Sequence, residues 1–226
     1  ALITRGGYMN STVILKGNIL YTPRPSEFIS IQHGYIIAVD GVVVYCGESI
    51  PPAYADCEVT DYGDNLIIPG FVDTHAHAPQ YCNRGLGMDK ELLPWLETYT
   101  FPEEAKFSDL DYARLVYGAF VQDLWRNGTT RSILFGTIHK ESTLVLMELL
   151  QKAGLSAYVG KVNMDRNSPE FLIEKTQQSL IDTKEWLDAS LQFGPLVKPI
   201  ITPRFVPSCT SELMSGLGKL AEEYNV

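Results

Sequence analysis

No Cys-x-x-Cys pair occurs in this chain, and its four cysteines (Cys46, Cys57, Cys82, Cys209) are scattered along it. That spacing builds neither a zinc ribbon nor a disulfide framework. Free thiols in a chain of this size point to a reducing, cytoplasmic compartment. No apolar run approaches the ~20 residues that a bilayer-spanning helix needs, so no membrane association is expected. Lys and Arg form no cluster, and 18 of them against 27 Asp and Glu leave a net charge of -9. Such a surface repels phosphate backbones, which argues against nucleic-acid binding, and otherwise serves solubility. The Gly-x-Gly-x-x-Gly turn of dinucleotide-binding folds is missing after the first buried strand. Histidine is scarce, with four in 226 residues. The N-terminus shows no basic stretch ahead of an apolar core, so no secretory signal is expected. Met9 is a candidate native start, with Ala1 to Tyr8 upstream of it.

What remains is a chain long enough to bury a large core without staples. Its texture changes once. Residues 1–65 read as a small β module. Thr12 to Leu20 is a strand, and Tyr35–Val39 and Val42–Tyr45 form a hairpin around Asp40-Gly41, a pair that tolerates positive φ. The prolines of Tyr21-Thr-Pro-Arg-Pro-Ser26 read as a loop. Residues 66–226 alternate strands with helices. Apolar strands are expected at Ile67–His75, Thr129–Phe135, Ala157–Val162 and Val197–Thr202. A helix begins at a Ser108/Asp111 capping pair and stops at Asn127-Gly128; Ala113, Val116, Tyr117, Phe120 and Leu124 share its inner face. Further helices are expected from Lys140 to Ala153, from Ser168-Pro169 onward, and from Ser211 to Tyr224.

Alternation of this kind means an α/β fold with a parallel sheet and right-handed crossovers. An open doubly wound sheet and a (β/α)8 TIM barrel both fit the pattern. Only four strands are visible where a barrel needs eight, so the barrel reading is that of an N-terminal half.

Chemistry concentrates in Pro69-Gly-Phe-Val-Asp-Thr-His-Ala-His77. On a strand, residues i and i+2 face the same side. His75 and His77 therefore project together, and two imidazoles so placed can share one ion at ~2.0–2.1 Å from each nitrogen. A packed or solvent-facing histidine pair gives the same pattern. Asp73 lies on the same face and could orient a ring. Gln80, just past the strand, carries an amide that can read a donor–acceptor edge, or is a solvated loop side chain. Arg204, after the fourth strand, offers only donors, to a ligand or to a surface carboxylate. Trp95 and Phe205 are stacking surfaces or core. His139 sits where it could face a ligand or cap a helix. Cys82 and Cys209 are given no role.

The Pro69–His77 segment resembles the first-strand signature of the amidohydrolase superfamily. Those enzymes are metal-dependent hydrolases on a (β/α)8 barrel, often preceded by a small β-sandwich built from both chain ends. The run continues with Gln80-Tyr81, Leu92-Leu-Pro-Trp through Thr100-Phe-Pro-Glu-Glu104, Asn127-Gly-Thr-Thr130, Phe135-Gly-Thr-Ile-His139, Val159-Gly-Lys161 and Ile201-Thr-Pro-Arg-Phe205. In this order the set resembles the guanine-deaminating branch. The resemblance implies zinc, one ion per complete site, with His75 and His77 among its ligands. It implies guanine bound by Gln80 and Arg204 and walled by Phe205 and Trp95, and a homodimer when full length. The branch completes its site with a third ligand His, a Glu, another His and an Asp from later strands; no histidine follows His139 here. The expectation is therefore a portion of a longer enzyme, inactive by itself and without its own catalytic acid–base residue. Another aminohydrolase acting on a purine- or triazine-like ring, and a non-catalytic truncated homologue, remain the alternatives.

Overall fold

The computed structural model describes residues 11–226, so the reading of Met9 as the native start lies outside the described residues. Contacts divide the chain into two units that meet between Pro69 and Gly70.

The first unit is one four-stranded sheet, with no second layer among the described residues. Strands β1 (Thr12–Arg24), β2 (Glu27–Val39), β3 (Val42–Gly47) and β4 (Val59–Ile67) lie in the order β3-β2-β1-β4. The first three are antiparallel neighbours, and β4 runs parallel to β1. Asp40 and Gly41 turn the β2–β3 hairpin with φ of 50° and 80°, the positive values that this dipeptide accommodates. The expected loop at Tyr21–Ser26 is largely strand. β1 continues to Arg24 and pairs it with Glu27, leaving only Pro25 and Ser26 to turn. Pro23 is tolerated because the ladder is irregular between Tyr21 and Arg24, where no N–H is demanded of it. The single strand expected at Ile67–His75 is two. Ile67 ends β4, and Pro69, which cannot donate to a ladder, separates it from the next strand.

The second unit is a parallel sheet under helices. β5 (Phe71–His77), β6 (Thr129–Phe135), β7 (Ser156–Gly160) and β9 (Val197–Pro199) lie in the order β5-β6-β7-β9, each parallel to the next. Beyond the ends of β7 and β9, β8 (Val162–Asn163) pairs parallel with β10 (Thr202–Pro203). Four long helices follow the strands: α3 (Leu110–Arg126), α4 (Lys140–Ala153), α5 (Thr176–Ser190) and α6 (Ser211–Tyr224). Two short ones, α1 (Leu92–Trp95) and α2 (Phe101–Ala105), flank a wide π-type turn at Leu96–Thr100. The core forms where the inward stripes of the long helices meet the sheet, through Tyr117, Leu146, Trp186 and Leu213 against Leu134 and Val159.

Local chemistry sets the boundaries. Asp109 rather than Ser108 caps α3, its carboxylate accepting from the Asp111 and Tyr112 N–H groups at 2.9 and 3.3 Å. Gly154 closes α4 with φ 70°. Thr210 caps α6 by accepting from the Leu213 N–H. The helix expected from Ser168-Pro169 starts only at Thr176. Before it, Leu172 is buried in a satellite cluster with Leu96, Phe101, Val162 and Met164. The Glu174 carboxylate accepts from Lys161 Nζ at 2.7 Å and from the Met164 N–H at 3.1 Å. These tertiary bonds pull the segment out of helical register, overriding a good local start signal.

Candidate functional site

Because the strands are parallel and neighbours in sequence order, their C-terminal ends share one rim, and the loops leaving them converge there. β5 brings His75 and His77 to the rim. Their ring centroids lie 5.3 Å apart at 74°. Phe135, at the end of the adjacent β6, stacks on His77 at 4.5 Å and meets His75 edge-on at 5.2 Å. The His77 Nδ1 is buried and has no hydrogen-bond partner. Burial, then the nearby Arg204 charge and His75, push the His77 pKa down to about 3. The ring is therefore neutral near pH 7, the form that can ligate a metal. Two imidazoles placed together, one of them held neutral, fit part of a metal's ligand set. Among the described residues no group of three His, Cys, Asp or Glu comes together to complete one.

Asp73 does not reach a ring by any hydrogen bond of the described residues. Its carboxylate accepts from the His75 backbone N–H at 3.0 Å and so braces the strand. Trp95 is fixed by its indole N–H, which donates to the Leu86 carbonyl at 2.9 Å. Its segment carries the wide turn between α1 and α2, an irregularity frequent beside binding sites. Gln80 lies in the 3-10 turn directly after β5. Arg204 and Phe205 follow β10, with the Arg204 N–H bonded to the Asn163 carbonyl at 3.1 Å.

Six residues singled out from sequence, His75, His77, Gln80, Trp95, Arg204 and Phe205, line one cleft of about 500 Å³. Their positions in the chain span 130 residues, and the parallel topology collects them. A smaller cleft of about 320 Å³ shares His77, Gln80 and Trp95 as a wall.

Sequence reading gave no role to Glu104, although it sits at the centre of the polar contacts. Its side chain is 1% exposed and accepts from Arg204 Nη1 at 2.5 Å, while the Arg204 side chain is 4% exposed. Its other oxygen accepts from Gln80 Nε2 at 3.3 Å. The guanidinium also lies over the Phe101 ring at 5.0 Å, a cation–π placement. Glu103 turns the opposite way, to Lys106 at 2.6 Å and to the Tyr112 hydroxyl. Glu103 and Glu104 are both buried on this short helix, and two adjacent acids beside Phe101-Pro102 were the available signal. Phe135 was also missed; its place beside His77 follows from strand register.

The remaining candidates lie outside the cleft. His139 occupies the position before α4 without capping it through its side chain, and its Nε2 is buried with no hydrogen bond. Cys82 is exposed, and Cys209 is buried with its thiol donating to the Asn163 carbonyl at 3.3 Å.

Comparison with known proteins adds the family. The Amidohydrolase family matches residues 66–226. Guanine deaminase of Dictyostelium discoideum is 54% identical over 166 residues, which are 73% of this chain and 37% of that protein. Guanine deaminase of Mus musculus is 39% identical over 237 residues, taking in 100% of this chain and 50% of that protein. A crystal structure of guanine deaminase from C. acetobutylicum, with bound guanine in the active site, superimposes with a TM-score of 0.91 at 50% identity. That match covers 96% of this chain and 52% of the other. The chain thus spans about half the length, or less, of these relatives.

Proposed function

The chain belongs to the amidohydrolase family, and we propose that the protein it comes from deaminates guanine hydrolytically. Guanine and water give xanthine and ammonia: the bond from the ring carbon to the exocyclic nitrogen breaks, and the oxygen of water takes its place. On this reading the second unit is the first four β/α units of a (β/α)8 barrel, and the first unit contributes to a small β domain.

The observation that carries the proposal is the cleft that His75, His77 and the donor-only guanidinium of Arg204 line together with Gln80, Trp95 and Phe205. His75 and His77 would hold the metal, for which we propose zinc. When bound, such an ion supplies Lewis acidity and lowers the pKa of water toward ~7. The chain's own residues bind and orient the base. Arg204 donates to the purine carbonyl, which an exocyclic amine could not replace as a partner, so the pocket favours guanine over adenine. Gln80 hydrogen-bonds the ring edge, and Trp95 and Phe205 cover its faces and exclude water. Fixing the base against the metal side removes part of the entropic barrier. No proton-transferring residue is assigned within this chain. A homodimer and a cytoplasmic location extend the same reading, the location resting on the free thiols. Among the described residues no helix is long and apolar enough to cross a membrane.

The test is guanine turnover by the full-length gene product loaded with zinc. Xanthine and ammonia should appear in equal amounts, and Arg204→Ala should lower kcat/KM by roughly 100-fold or more, as for a charged hydrogen bond worth ~3 kcal/mol. Turnover of a triazine or another aminopurine in preference to guanine would move the protein to a different aminohydrolase. A zinc-replete protein that releases no ammonia from any of these rings would remove the enzymatic reading.

A further inference from the structure

We propose that Glu104 is a positioning residue that sets the hydrogen-bonding polarity of the cleft by fixing which end of the Gln80 amide faces the ligand. The proposal rests on the reading of the cleft as a purine site and deepens it.

A side-chain amide has a donor end and an acceptor end of nearly the same shape, so an unconstrained Gln80 could present either. Glu104 removes the choice. A carboxylate paired with a guanidinium accepts hydrogen bonds and has none to give. Only the NH2 of Gln80 can satisfy it, and the contact runs from Nε2 to Oε1 of Glu104 at 3.3 Å. The carbonyl oxygen of Gln80 is then the end left for the cleft that this residue lines. The second oxygen of Glu104 accepts from Arg204 Nη1 at 2.5 Å, with both side chains almost wholly buried. One carboxylate thus orders two recognition groups at once. It leaves an acceptor on Gln80 beside donors on Arg204. A ring that offers a carbonyl next to an N–H matches this pair; a ring with an unprotonated nitrogen beside an amine meets it with both polarities reversed. Glu104 touches no ligand in this scheme and acts through its two partners.

Glutamine at this position reverses the logic. In E104Q the new amide must give its oxygen to Arg204, which only donates. Its NH2 is then directed at Gln80, which turns its own oxygen inward and its NH2 to the cleft. The experiment uses the full-length, zinc-loaded protein and hypoxanthine, which has the carbonyl and the neighbouring N–H but no amine to lose. Dissociation constants are measured by calorimetry for the parent, E104Q, E104D, Q80A and the two double variants, beside guanine kcat and KM. We expect E104Q to weaken hypoxanthine at least tenfold and to raise the guanine KM more than it lowers kcat. E104D, which keeps an acceptor-only group, should bind at least threefold tighter than E104Q. Because Glu104 works through Gln80, the losses from E104Q and Q80A should combine to less than their product by threefold or more. A coupling smaller than threefold, or equal losses in E104Q and E104D, overturns the proposal, since a merely structural role gives independent losses. If E104Q does not fold with its metal, the same cycle is run with E104A, which also releases the Gln80 amide, and independence there overturns it equally. A parent protein that neither binds hypoxanthine nor turns over guanine removes the purine reading and this proposal with it. Normal parent turnover with independent variants removes this proposal alone.

Discussion

Replacing Arg204 by methionine strands a buried charge, and the cost can be estimated from the structure. The pair it breaks has side chains 4% and 1% exposed and charged atoms 2.5 Å apart. After the substitution Glu104 keeps one hydrogen bond, the 3.3 Å contact from Gln80. Removing one member of such a pair costs roughly 3–5 kcal/mol, because the remaining charge stays out of water without a partner. Methionine keeps much of the apolar contact of the arginine stem, so the lower figure, about 3 kcal/mol, is the expectation. For a domain of 226 residues that is a fall in Tm of roughly 6–12 °C, and about half as much in a protein twice as long. Adding E104Q removes the stranded charge, and the double variant should return to within ~1 kcal/mol of the parent. Urea denaturation of parent, R204M and R204M/E104Q reads this directly, provided the slope m is unchanged. A loss under ~1 kcal/mol in R204M would mean that the pair is solvated, and the desolvation reasoning fails. A double variant as unstable as R204M would mean that packing, not charge, carries the cost.

Other outcomes follow from the same structure. A Cβ on Gly160 would stand 2.1 Å from Thr202 Oγ1 and 2.7 Å from the Ile200 carbonyl oxygen. G160A should therefore cost roughly 1–3 kcal/mol in denaturation and weaken ligand binding by displacing the strand end that carries Arg204. Burial, and then the Lys161 charge, hold His139 below the ordinary histidine range. The folded state resists a proton that the unfolded state accepts, so this neutral ring's contribution is complete above about pH 6.5 and is lost as pH falls below it. H139N should flatten the acid limb of a stability–pH curve below about pH 6.5, and an unchanged limb would refute that assignment. The 226-residue chain expressed by itself gathers no third ligand among its described residues. It should keep substoichiometric zinc after dialysis and release no ammonia from guanine.

Short-range signals were legible where their physics is short-range. The spacing of His75 and His77 required only the alternation of a strand, and the structure brings the rings together. Asp40-Gly41 and Gly154 ended their elements through backbone conformation alone, as the positive φ values show. Ser168-Pro169 misled because a helix start signal is worth about 1 kcal/mol, less than the roughly 3–5 kcal/mol cost of leaving buried Lys161 without Glu174. The prolines near Tyr21 misled because the ladder there asks nothing of them. Glu104 was hidden for another reason: both acids of the Glu-Glu pair are buried, and nothing within a few residues tells which one meets the cleft residues. That choice is made by an arginine far along the chain. The family resemblance, by contrast, rested on an ordered run of local motifs, of which His75, His77, Gln80, Trp95, Arg204 and Phe205 share one cleft and His139 does not.

The contacts that give the cleft its polarity also determine when it can exist. Gln80 meets Glu104 across 24 residues of chain, and Arg204 meets it across 100. Loop-closure entropy grows with the logarithm of length, so the second contact costs ~1.2 kcal/mol more to close than the first, about two doublings. It must also wait for the strands between them to assemble. The half of the cleft built from β5, Gln80 and α2 can therefore gather while Arg204 is still remote, leaving Glu104 half-satisfied. On the proposed reading, the Arg204 side of the cleft then forms after the Gln80 side and is lost when the β9–β10 segment loosens. Secondary structure measured during refolding should return before affinity does.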